Sequence, residues 1–150
     1  MPDTGVFGSF TWIDSQTDDP FTGDERRFRD QPNYILNVGF IHSIEQTGTA
    51  FGVSYQKRGA SFAIDPDEIE KTTYDGNLDV FIEQRLGKGM VIRLSGTNLL
   101  DANKDEFKTK FDGDSAAELK AAIAANDVDE FETQNEESSR VITLTFRAAF

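Results

Sequence analysis

Val141-Ile-Thr-Leu-Thr-Phe-Arg-Ala-Ala-Phe150 alternates at every step. Ile142, Leu144, Phe146, Ala148 and Phe150 share one side, and Val141, Thr143, Thr145, Arg147 and Ala149 share the other. A period of two marks a strand with one apolar face. The same pattern recurs upstream and predicts six strands: Val6–Ile13, Tyr34–Ile44, Ala50–Gly59, Gly76–Leu86, Met90–Asn98 and Ser139–Phe150. They are rich in Val, Ile, Phe, Tyr and Thr, the residues that suit a pleated surface. Most approach the ~9–11 residues with which a tilted strand crosses a bilayer.

The connections alternate in length. Glu45–Thr49 and Gly87–Gly89 are tight, glycine-bearing hairpin turns. Asp14–Asn33, Ala60–Asp75 and Leu99–Ser138 are long. Such an order predicts an all-β fold, an antiparallel up-and-down meander whose two rims differ. The last long link carries its own helix signal, because Ser115-Ala-Ala-Glu118 is a capping box and Ala-rich sequence follows to about Ala125. That helix reads as a spacer that keeps the loop compact, with a lid as the other reading. Phe107, Phe111 and Phe131 in the same link are expected to pack on it, with closure over a ligand as the other reading.

Charge fixes which face meets which solvent. Leu78, Val80 and Ile82 oppose Asp79, Phe81, Glu83 and Arg85, while Met90, Ile92 and Leu94 oppose Val91, Arg93, Ser95 and Thr97. Turning Arg93 toward a bilayer midplane would cost roughly 2–4 kcal/mol. A one-residue slip would invert a whole strand. The charged sides therefore belong to a watery lumen and the apolar sides to lipid. Trp12, Tyr34 and Tyr55 fit interfacial girdles, and Lys57 lies where its ammonium can snorkel to the outer rim.

Composition bounds the rest. The chain has 150 residues and a net charge of −12. Asp101–Glu137 holds twelve acids against four lysines, and Asp14–Asp30 six acids against three arginines. This balance opposes nucleic acid as a partner, since phosphates need a basic surface. There is no cysteine, which excludes disulfides and thiolate metal sites. Met1-Pro2-Asp3 lacks the basic and apolar regions of an export signal, so an export segment is expected outside this sequence. His42 is the one histidine; it falls in the lipid-facing phase near a turn and reads as interfacial. Ser43 beside it points to the opposite face, so no triad follows. Asp79 and Glu83 stand roughly 13 Å apart along a strand, too far for paired-carboxylate catalysis. With Arg85 and Arg93 they are expected to form a lumenal charge ladder. Asp112, Asp114, Asp127, Asp129 and Glu130 lack the EF-hand pattern and read as solvated. No catalytic site, metal or cofactor is expected.

Ile92-Arg-Leu-Ser-Gly-Thr-Asn98-Leu99-Leu100-Asp101, then a long loop, then one strand ending in Phe150, resembles the C-terminus of TonB-dependent outer-membrane receptors. Gly76-Asn-Leu-Asp-Val-Phe-Ile-Glu-Gln-Arg-Leu-Gly87 resembles that family's strand and periplasmic turn. The match spans about Pro32 to Phe150. Asn98, Leu99, Leu100 and Asp101 are its motif; Leu144, Phe146 and Phe150 resemble the signal read by the outer-membrane assembly machinery. The resemblance implies that residues 1–150 are the C-terminal part of a transmembrane β-barrel in the bacterial outer membrane, without the plug domain. The function it implies is import of a scarce nutrient, a ferric siderophore, cobalamin or oligosaccharide. The implied partners are membrane lipid, the assembly machinery, the small nutrient ligand, and TonB through an N-terminal region not seen here. Two other readings stand beside it: the end of a passive porin-like channel, and a soluble β-sandwich or calyx whose apolar faces meet in a core.

Overall fold

A computed structural model describes residues 2–19, 21, 23–87 and 89–149. In chain order its elements are β1 (Pro2–Trp12), β2 (Thr17–Asp18), β3 (Glu25–Arg26), β4 (Tyr34–Ile44), β5 (Thr49–Arg58), β6 (Ser61–Ile64), β7 (Glu68–Tyr74), β8 (Asn77–Gly87), β9 (Met90–Thr97), β10 (Lys104–Lys110), α1 (Ala116–Ala125), β11 (Glu130–Glu136) and β12 (Val141–Ala148). The fold is all-β, antiparallel throughout its sheets, with one helix.

The six predicted strands are β1, β4, β5, β8, β9 and β12, and they lie side by side in that order. Tight turns join β4 to β5 and β8 to β9. In the first, Gly48 takes φ +68° and its N–H reaches the Ile44 carbonyl at 2.9 Å, a conformation that glycine enters without a Cβ clash. The second carries left-handed Gly87 and Gly89, with a bulge between Arg85 and Gly87 that re-aims the strand end. Gln84 ties the two turns together: its amide donates to the Thr47 carbonyl at 2.6 Å and accepts from the Thr49 hydroxyl at 2.7 Å.

The long links hold strands that the alternation of apolar residues does not reveal. β11, β10, β7 and β6 form a second sheet in that order, and β2 pairs with β3. The order of the second sheet copies that of β12, β9, β8 and β5, because each of its strands continues one strand of the large sheet past a short break. The breaks are residues 59–60, 75–76, 98–103 and 137–140. Each is an even number of residues, so a count along every strand keeps the two sheets' alternation in step. Helix α1 caps the β10–β11 hairpin, with Ser115 Oγ accepting from the Glu118 N–H at 3.3 Å. The Glu118 carboxylate accepts from the Asp114 N–H at 3.0 Å rather than from the cap residue, and Asn126 ends the helix in the left-handed conformation.

Among the described residues the buried hydrophobic side chains are Ala63 and Phe111, and neither belongs to the large sheet. No large side chain there is fully buried. The two faces of the large sheet are therefore surfaces, and among the described residues no second layer buries either.

Candidate functional site

Register turns alternation into continuous rows. Val6, Phe40, Val53, Val80, Gly96 and Ile142 are successive cross-strand partners over all six strands. The next row toward the turns is Thr4, His42, Phe51, Ile82, Leu94 and Leu144. Ile92 and Phe146 follow as direct partners. This face is bare: Val6 is 78% exposed, Ile142 66% and Leu144 68%. Leu144 and Phe146 lie on it, whereas Phe150 falls outside the described residues. At the end away from the tight turns, Trp12 faces Tyr34, and Phe10 stacks on Tyr34 at 6.2 Å between ring centroids. His42 sits on the same face toward the turns, its Nδ1 2.6 Å from the Thr4 hydroxyl and its ring against Phe51.

The opposite face is polar and stepped by glycines. Phe7 lies across from Gly39 and Phe81 across from Gly52, and each ring covers the bare backbone of its partner. A Cβ at Gly52 would meet the Phe81 ring at 2.7 Å and the Phe40 carbonyl at 2.9 Å. The Arg93 guanidinium stacks on Phe81, 3.9 Å from its centroid, and pairs with Glu83 at 3.7 Å. Arg147 approaches the same carboxylate at 4.0 Å. The expected charge ladder is corrected here. Its centre is Glu83 with Arg93 and Arg147, and Asp79 is not part of it. Asp79 turns to the strand exit, where its carboxylate accepts from the Asn98 N–H at 3.0 Å. A groove of about 300 Å³ runs along this face past Phe7, Phe81, Asp79 and Arg93.

The Asn98–Asp101 motif is a clamp on three strands. Asn98 adopts φ 53° and is 9% exposed. Its side-chain amide donates to the Ser138 carbonyl at 2.5 Å, and its oxygen accepts from the Ala102 N–H at 2.7 Å. The Leu99 N–H donates to the Leu78 carbonyl at 2.9 Å, and the Leu99 side chain lies over Gly96. Asp101, also left-handed at φ 60°, pairs with Arg140 at 3.1 Å. The motif thus closes β9 against β8 and the approach to β12, while Leu100 is left exposed.

In the small sheet the central strand β10 presents lysines between glutamates. Lys110 pairs with Glu132 at 2.9 Å and Glu130 at 3.1 Å, both on β11. Lys108 pairs with Glu70 at 3.4 Å and Glu68 at 3.8 Å on β7, and Lys104 pairs with Glu136 at 3.4 Å. Hydrogen bonds that its ammonium donates to Glu132 and Glu130 raise the Lys110 pKa above its ordinary value, and the bond accepted from Lys110 holds the Glu132 carboxyl below its own. Phe107 and Phe131 lie on β10 and β11 themselves, with Phe131 exposed and Phe111 buried at the sheet's end. A rim pocket of about 600 Å³ separates the sheets, where the Arg58 guanidinium lies 4.3 Å from the Tyr74 ring centre. Among the described residues no group of three or more His, Asp or Glu side chains is placed to hold a metal ion.

No protein family, curated protein or solved structure matches this chain.

Proposed function

We propose that this chain is the C-terminal part of an outer-membrane transporter barrel of the TonB-dependent kind, which imports a scarce nutrient. The observation that carries the reading is the bare apolar face spanning six antiparallel strands. Strand spacing and rise give it an area of roughly 600 Å² or more. That is at or beyond the largest apolar patch of an ordinary soluble monomer. An eleven-residue strand such as β4 rises ~36 Å; tilted by about 45° it stands ~25 Å tall, the height of a barrel's apolar band. The aromatic pair at one end and the charged opposite face suit the same orientation. A sandwich would fold its apolar face onto a second layer, and among the described residues no such layer is present.

The edge strands support a segment of a larger wall. β1 and β12 each have one paired side among the described residues. In hydrocarbon an open edge costs several kcal/mol for each unpaired backbone group, so further strands complete the barrel. The resemblance carried by Asn98–Asp101 favours energy-driven import over a passive pore.

Trp12, the single tryptophan, tests the membrane placement. In the whole barrel reconstituted in lipid vesicles, with any tryptophan outside this chain replaced by phenylalanine, its emission is expected to be quenched strongly by shallowly brominated phospholipid and less by deeply brominated phospholipid. Emission unaffected by either would overturn the reading. In cells carrying the whole reading frame, nutrient uptake is expected to stop when the proton-motive force is dissipated; uptake that continues points to the porin-like channel.

A further inference from the structure

The small sheet has a second face, opposite its ladder of lysines and glutamates. Phe62, Lys71, Phe107 and Thr133 are direct cross-strand partners in one row over β6, β7, β10 and β11. The next row toward the hairpin tips is Ile64, Ile69, Thr109 and Phe131. Ile64 and Ile69 close with Phe21 and Ile123 around a 140 Å³ cavity. The remainder is open: Phe62 is 41% exposed, Phe131 64%, and Lys71 is exposed between the two phenylalanines. Direct partners stand with Cβ atoms ~5 Å apart, so the Lys71 stem rises between two phenyl rings.

The charge on this face is unusual for the chain. Of the four lysines in the small sheet, Lys104, Lys108 and Lys110 are paired with glutamates. Among the described residues no carboxylate lies within ion-pairing distance of Lys71. Asp105, the other charged residue that the strands themselves place on this face, is engaged by the Asn135 amide at 2.5 Å, and the charged residues around the cavity, Asp19, Asp24, Glu25, Arg26 and Asp65, lie at its Ile64–Ile69 end. A chain with a net charge of −12 thus leaves this ammonium unmatched, flanked by aromatic rings. The even breaks put this face in step with the polar face of the large sheet, on the side the barrel reading assigns to the lumen.

We propose that Phe62, Lys71 and Phe107 form a binding site for a small, flat, apolar monocarboxylate. The rings receive its plane and the Lys71 ammonium its carboxylate; Phe131 and the Thr133 hydroxyl border the site. One unmatched cation suits one negative charge, and the surrounding acids oppose a polyanion. This assigns the class of nutrient and rests on the transporter reading for its biological meaning, though its chemistry is local to the small sheet.

Naphthoate, titrated by fluorescence anisotropy onto the full chain in uncharged maltoside micelles, tests the site. Saturable binding is expected. It should weaken about tenfold or more in Lys71→Ala and Lys71→Glu, and stay within about threefold in Lys71→Arg. Phe107→Ala should also weaken it, whereas uncharged naphthylmethanol should bind the parent and Lys71→Ala alike. Absence of saturable naphthoate binding, or equal binding to the parent and Lys71→Glu, overturns the proposal. Brominated-lipid quenching of Trp12 in the same proteins separates the two ideas. Quenching without Lys71-dependent binding removes the site and keeps the barrel; Lys71-dependent binding without quenching does the reverse.

Discussion

Asn98 joins three constraints in one side chain. It holds a left-handed backbone, satisfies the Ser138 carbonyl, and receives the Ala102 N–H. A left-handed residue with a Cβ costs roughly 1–2 kcal/mol unless local hydrogen bonds offset it, as asparagine's do here. Asn98→Ala is therefore expected to lose about 2–4 kcal/mol, since it adds the backbone cost and strands two half-buried polar groups. Asn98→Gly should recover about 1 kcal/mol of that loss by relieving the backbone alone. Urea unfolding midpoints of the whole barrel in lipid vesicles measure both, and a glycine variant less stable than the alanine variant would contradict the account. Asn98–Asp101 stood out in the sequence by a resemblance, which did not show the bonds it makes. Asp79 read as part of a charge ladder because it shares a strand face with Glu83; its actual partner is a backbone N–H nineteen residues away in the chain, which side-chain periodicity does not show.

At the scale of elements, strands announced themselves wherever one face is apolar. Tyr34–Ile44 is legible to the residue, and α1 follows from Ser115 and Glu118. β10 and β11 were hidden for a physical reason. Their sequences, KDEFKTK and EFETQNE, read as solvated charged chain; a backbone ladder pairs them, and charge matching across twenty or more residues lines it. That matching makes β11 sensitive to acid. Glu132 titrates below its ordinary 4.5 in the folded chain, so its contribution is fully present above that value and is lost as pH falls through the lowered one. Lys110 is raised, so its share persists below its ordinary 10.5 and is lost only in strong base. Protection factors for amide exchange in β11 are accordingly expected to fall as the pH drops below the ordinary Glu132 value, while those of the β4–β5 ladder hold. Uniform exchange across both elements would show that the carboxylates do not hold β11.

At the scale of the whole molecule, the proposed barrel would borrow its stability from the surrounding lipid. A 150-residue soluble domain buries a core, whereas here the buried hydrophobic side chains among the described residues are two. Placing a charge on either face should therefore discriminate sharply. Val53→Arg, in the middle of the apolar rows, is expected to reduce insertion into vesicles by roughly 2–4 kcal/mol. Ser54→Arg, one residue on and facing the other way, should change insertion by less than about 1 kcal/mol. Folded yields of the whole barrel after dilution from urea into vesicles measure both, and equal yields would remove the distinction between the faces.

The four breaks between the sheets carry a rule for altering the rim. Deleting Ala60 alone would leave a single residue at 59–60 and send Phe62 and Ile64 to the side now held by Ser61 and Ala63. Removing a pair would shorten the strand while each side chain kept its side. Viable lengths for the small sheet thus come in steps of two, and grafts from other proteins would have to match that parity before they match in chemistry.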